Sequence, residues 1–190
     1  MILPIRAFGD PVLRKVGKEI DKNYPALSGL IENMYETMYN AQGIGLAAPQ
    51  IGLGIRLFIV DVSPLAKDEE YREISGELAH FKKVFINPRI VEEKGEEWKF
   101  NEGCLSIPEI REDVRRKRTV TLEYWDESFR PYRETFSDIR ARVIQHEYDH
   151  IEGILFTDRL GVLKKKIIKG KLQKIASGEI NVNYLMRFYK

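Results

Sequence analysis

Apolar residues recur along this chain with two different periods. Leu27, Leu30, Ile31, Met34 and Met38 fall three and four apart, which places them on one helix face and predicts an amphipathic helix over residues 25–40. That helix should end before the block GIGLAAPQ. The run IRLFIV, from Ile55 to Val60, is apolar almost throughout and predicts a buried strand; KVFINP, from Lys83 to Pro88, predicts a second one that Pro88 stops. Val120, Leu122 and Tyr124 alternate with Thr121 and Glu123, and DESFR then turns the chain into Tyr132 to Phe136, the pattern of a hairpin. Ser137 or Asp138 can cap a helix that carries Ile139 to Ile151 and stops at Gly153. A last helix is predicted over residues 162–176, followed by Ile180, Val182 and Tyr184 at strand spacing. Residues 63–82 form an acidic insert without regular periodicity. These elements predict an α+β fold, mostly antiparallel strands surrounding one central helix.

Composition narrows the picture without changing it. A chain of 190 residues suits one domain over 1–190, and 43% apolar with 32% charged residues is ordinary for a folded protein. Thirty-one basic against twenty-nine acidic residues leave a net charge of +2, too little to make nucleic acid the default partner. A single cysteine rules out an internal disulfide framework and fits a reducing compartment. No stretch approaches the roughly 20 apolar residues of a membrane span. The opening MILPIRAFGDPVLRK lacks a signal peptide's order of basic and then apolar regions, so the expectation is a cytoplasmic protein away from membranes.

The chemistry concentrates in RVIQHEYDHIEGILF, Arg142 to Phe156. His146 and His150 are four apart and share a helix face, with Glu147 beside them. Val143, Ile144, Tyr148, Ile151, Ile154 and Leu155 leave this segment little other polar surface, which predicts burial. Two histidines and a glutamate in a core are costly unless each is hydrogen-bonded or holds an ion. Zinc and ferrous iron both accept two imidazoles and one further protein ligand, with a position left open. His80 lies upstream in the acidic insert and reads as a surface residue; Glu152 follows His150 too closely and points from the wrong face. Cys104, in NEGCLSIPEI, is the better third ligand. Glu147, adjacent to His146, is then placed to take a proton from a water beside the ion.

Three blocks in order, GIGLAAPQ at Gly43 to Gln50, EGCLS at Glu102 to Ser106 and QHEYDH at Gln145 to His150, resemble the peptide deformylase family. The likeness runs from DPVLRK near the start to GILFTDRL ending at Leu160. It implies a mixed fold with strands around the metal-bearing helix, and removal of the formyl group from the N-formylmethionine of nascent peptides. It implies Cys104, His146 and His150 as ligands of one divalent ion, Fe(II) natively, with Zn(II) or another divalent ion able to replace it. It makes Glu147 the catalytic carboxylate, and Gln50 with the Leu105 backbone N–H the groups that hold the formyl oxygen. Gly43 and Gly45 become places where substrate backbone approaches closely, Ile44, Val143 and Leu105 walls of a methionine pocket, and Glu102 and Gly103 further substrate contacts. The 63–82 insert and the segment after the last helix depart from the family's simplest pattern and leave the subclass open.

One further feature stands outside that pattern. KKKIIKGKLQK carries six lysines between Lys164 and Lys174, a candidate surface for the ribosome or, in a non-catalytic metal module, for RNA. A structural zinc site normally closes with four protein ligands. Three candidates and an unexplained glutamate favour catalysis. A zinc endopeptidase shares the histidine helix but not the cysteine.

Overall fold

The computed structural model describes residues 1–189. In chain order the elements are β1 (Ile5–Arg6), α1 (Leu27–Asn40), β2 (Gly45–Ala47), β3 (Leu57–Asp61), α2 (Ser75–Leu78), β4 (Lys82–Cys104), β5 (Ile107–Trp125), β6 (Pro131–Ser137), α3 (Asp138–Ile151), α4 (Val162–Ser177) and β7 (Met186–Arg187). Five strands form one antiparallel sheet in the order β2-β3-β4-β5-β6, and β1 pairs in parallel with β7. The fold is α+β, with an antiparallel sheet and helices packed on it.

β3 explains why its sequence is apolar at every position but the last. All five of its residues are buried: Phe58 and Val60 pack toward α3, Leu57 and Ile59 toward α1. A strand covered on both faces loses the apolar–polar alternation of a half-exposed one. Each fully buried side chain of this size contributes about 1.5–3 kcal/mol. Helix α1 lays Ile31, Met34, Tyr35 and Met38 into the same cluster as Leu57 and Ile59. Helix α3 packs on β2, β3, β5 and β6, and only Asp138, Arg140 and Tyr148 of its 14 residues escape full burial. Gly153 follows it at φ +71, the left-handed conformation expected there.

Several expectations need correction. Pro88 does not stop a strand: β4 continues through it to Cys104, with a register shift between Ile86 and Arg89. Asn87 adopts φ +48 at that point and bonds Ile20 through its side chain, so the bulge places proline where no ladder donor is required. The long β4–β5 hairpin was not legible, because residues 92–97 are all exposed and a solvated arm shows no apolar period. The acidic insert folds into 3-10 turns at Ser63–Lys67 and Glu69–Ile74 followed by α2, and its Leu78 is fully buried. Ser137 sits at the N-cap of α3 but its side chain makes no capping bond. The strand expected around Ile180 to Tyr184 forms its ladder only at Met186–Arg187. The β5–β6 hairpin has the expected arms, closed by Asp126, which accepts from the Ser128 and Arg130 N–H groups at 2.8 and 2.9 Å. No helix among the described residues is long and apolar enough to cross a membrane.

Candidate active site

Three remote segments meet at one point. Cys104 ends β4, and a two-residue turn, Leu105 and Ser106, leads into β5 with Cys104 paired to Ile107. His146 and His150 come from α3. The ligand atoms of Cys104, His146 and His150 all lie within 4.8 Å of one another, and Cys104 Sγ is 3.2 Å from His150 Nε2. Burial and the neighbouring His146 hold the pKa of His150 well below its ordinary value, which keeps the ring neutral and able to ligate. A soft thiolate with two imidazoles suits a divalent transition metal, so the donors fit the ion expected from sequence.

Glu102 fixes the orientation of His146. His146 Nδ1 lies 2.9 Å from Glu102 Oε2, which leaves the other ring nitrogen for the site. Glu102 also accepts from Arg116 Nε and Nη2 at 2.7 and 2.9 Å and from Arg142 Nη1 at 2.7 Å. Burial alone would raise its pKa; the hydrogen bonds from Arg116 and His146 overcome this and hold the carboxylate well below its usual range. Arg116 continues to Asp149 at 2.7 Å, and Asp149 is gripped in turn by Arg159. Glu102 was expected to contact substrate; it borders the site's cavity, with both of its oxygens bonded to these neighbours.

Glu147 lies beside the cluster, 4% exposed, and its Oε2 has no protein partner. Burial raises its carboxyl to about 7, against a smaller opposing influence from His146. The carboxyl rests against β2 so closely that a Cβ on Gly45 would stand 2.4 Å from Glu147 Oε1. Gly43 has a similar reason: its Cβ would meet Leu105 Cδ1 at 2.8 Å. Both glycines therefore make room for side chains of the protein, a reason not visible in sequence.

Gln50 is 1% exposed in the 3-10 turn Ala48–Ile51. Its Oε1 accepts from Ala47 N–H at 2.8 Å, which turns Nε2 toward Cys104 Sγ at 3.5 Å and Ser106 Oγ at 3.3 Å. A cavity of about 570 Å³ opens over these groups, and Ile44, Gly103, Leu105, Val143 and Glu147 all line it. The structure thus gathers the predicted residues around one space. His80 is exposed, and Glu152 pairs with Arg56 at 2.6 Å, so neither rejected ligand approaches the cluster. Sequence reasoning missed Arg116, Arg142 and Tyr184, which also lines the cavity. Arg142 carried a signal, a guanidinium beside Val143 and Ile144 in a segment expected to be buried; Arg116 was hidden in the charge run RRKR.

A family model described as polypeptide deformylase matches residues 2–166. The chain belongs to the polypeptide deformylase family. A peptide deformylase from Christiangramia forsetii is 62% identical over 189 residues, 99% of this chain and 96% of that protein. One from Flavobacterium johnsoniae is 58% identical over the same shares of each chain. Among solved structures, a peptide deformylase from Legionella pneumophila superposes with a TM-score of 0.80 at 36% identity, covering 94% of this chain and 98% of that one. The deformylase from Thermotoga maritima gives 0.73 at 38% identity over 85% and 99%.

Proposed function

We propose that this deformylase, one catalytic domain over residues 1–190, hydrolyses the formamide of N-formylmethionyl peptides with a divalent ion held by Cys104, His146 and His150. The observation that carries the reading is the convergence of those three donors beside a buried, unpartnered Glu147 oxygen in one cavity. In this reading α3 is the central, metal-bearing helix of the fold. Fe(II) is the proposed working ion on the ground of family resemblance, since the donor set accepts Zn(II) as readily. When bound, such an ion supplies Lewis acidity and lowers the pKa of water at the site toward about 7.

The protein's own groups do the rest. Glu147 takes the water's proton and returns it to the nitrogen of the departing amine, a role suited to a carboxyl whose pKa sits near neutrality. Gln50 Nε2 and the Leu105 N–H receive the formyl oxygen as it gains charge, each donor contributing about 3 kcal/mol in comparable sites. Gln50 is preorganised for this because its own carbonyl is held by Ala47. Ile44, Val143 and Leu105 form the apolar wall for the methionine side chain, and Glu102 orients His146 rather than touching substrate. Substrates of this kind arise on ribosomes, which places the enzyme's work in the cytoplasm. Formate release from a formylated short peptide, set against cleavage of an unformylated protein, tests the reading. Formate from the first and no cleavage of the second is the expected result; the reverse would make the protein an endopeptidase.

A further inference from the structure

Beyond α4 the chain doubles back across the molecule. Ile180, Val182, Tyr184, Met186 and Phe188 are partly buried, while the residues between them are exposed. The segment is fastened to the N-terminal strand: Ile5 N–H donates to Leu185 O at 2.9 Å, Ala7 N–H donates to Arg187 O at 3.0 Å, and β1 pairs with β7. This fastening sets Tyr184 at the wall of the cavity, where its hydroxyl donates to Leu105 O at 2.7 Å. Leu105 is the first residue of the two-residue turn between β4 and β5. The other residue of that turn is held as well, since Phe8 N–H donates to Ser106 O at 2.8 Å and Gln50 Nε2 lies 3.3 Å from Ser106 Oγ. The turn is thus pinned from both chain ends, and the pin on Leu105 comes from residues beyond the match to the family model, which ends at residue 166.

We infer that Tyr184 is a positioning residue for the reaction: by holding the Leu105 carbonyl it fixes the Leu105–Ser106 peptide, so the turn cannot rotate and carry the adjoining Cys104–Leu105 peptide, whose N–H meets the formyl oxygen, out of place. A donor must already point at the place where charge develops for its full effect to be felt, because reorientation during reaction costs part of the gain. A two-residue turn has few bonds of its own with which to resist such rotation. The ring of Tyr184 packs in the cluster that also holds Leu105 and Met186, so the hydroxyl can be removed while the strap keeps its apolar anchor.

The inference rests on the deformylase reading, and Tyr184→Phe in the metal-loaded protein tests it separately. The expected result is a fall in kcat of about 3- to 10-fold, the span of one hydrogen bond, with KM and metal content unchanged. In amide NMR of the same variant the Leu105 N–H resonance should shift and broaden, while the Ile5 and Ala7 N–H groups keep their protection from exchange. Wild-type kcat, or an unaltered Leu105 amide, would overturn the inference. A fall in kcat together with lost protection at Ile5 and Ala7 would also overturn it, because the hydroxyl would then only tether the strap. If the wild-type protein released no formate, the deformylase reading would fall, while the Leu105 amide resonance would still decide whether Tyr184 orients the turn.

Discussion

His146 gives its Nδ1–H to Glu102 across 2.9 Å, and this bond decides which ring nitrogen faces Cys104. Such outer partners raise ligand basicity and hold the ring in place, and their loss typically costs 10- to 100-fold in metal affinity. Glu102→Gln should weaken metal binding by about that factor in a competition titration against a chelator. It also removes the charge facing Arg116 and Arg142, which are 4% and 1% exposed, so urea unfolding should show a loss on the order of 3 kcal/mol. Unchanged metal affinity would mean that Glu102 serves only the arginines.

Gly45 and Glu147 compete for the same space, and the glycine yields it. In Gly45→Ala the new methyl would stand 2.4 Å from Glu147 Oε1, and the flexible carboxylate must move aside. The protein should fold and load metal with a stability loss of about 1–3 kcal/mol. Turnover should fall about 100-fold, since displacement of a reacting group by about 1 Å carries a penalty of that size. Normal turnover in this variant would show that the carboxyl's placement is not critical.

A cysteine binds metal only as a thiolate, and a thiolate beside ferrous iron is open to oxidation. Protein prepared without oxygen should be more active than protein purified in air, with the loss tracking iron content or Cys104 oxidation by mass spectrometry. Cys104→Ser should lose metal and most activity, because a hydroxyl does not ionise at neutral pH as a metal-bound thiol does. Equal turnover of a zinc-loaded form prepared in air and an anaerobic iron form would remove the preference for iron and leave the ligands standing.

The lysines of α4 are all exposed, while Ile168 and Ile175 anchor the helix. If this face meets ribosomal RNA, binding must fall steeply with salt as phosphate contacts release counterions. Lys164 is paired with Glu112, so Lys165, Lys169 and Lys171 to Glu is the informative variant. Ribosome co-sedimentation should drop in that variant at low salt; an unchanged level would return the face to simple solvation.

The parts of this protein that bury one apolar face announced themselves. α1 and the β5–β6 hairpin follow their periodicity because an apolar stripe has only one favourable place to go, whereas α3, buried on nearly every side, was legible from the apolar residues around its histidines. β3 was legible from length and composition instead, being covered on both faces. The β4–β5 arm and the pairing of β1 with β7 were not legible, since one is solvated and the other joins residues 181 apart through two-residue strands. The metal donors were readable because a buried H-E-x-x-H is expensive without a ligand. The residues that support them were not: Arg116, Asp149 and Arg159 look like ordinary surface charges until folding brings them together, and Glu102 stood out only as a substrate contact. Tyr184 acts on Leu105 across 79 residues of sequence, and no local pattern encodes that meeting.

If Glu147 moves the proton while Cys104, His146 and His150 hold the ion, Glu147→Gln must separate the two roles. Metal content and formate release from a formylmethionyl peptide, measured on one preparation of Glu147→Gln, should show wild-type metal and turnover lower by about 100-fold or more. Full metal occupancy with near-wild-type turnover would take the proton-transfer role away from Glu147.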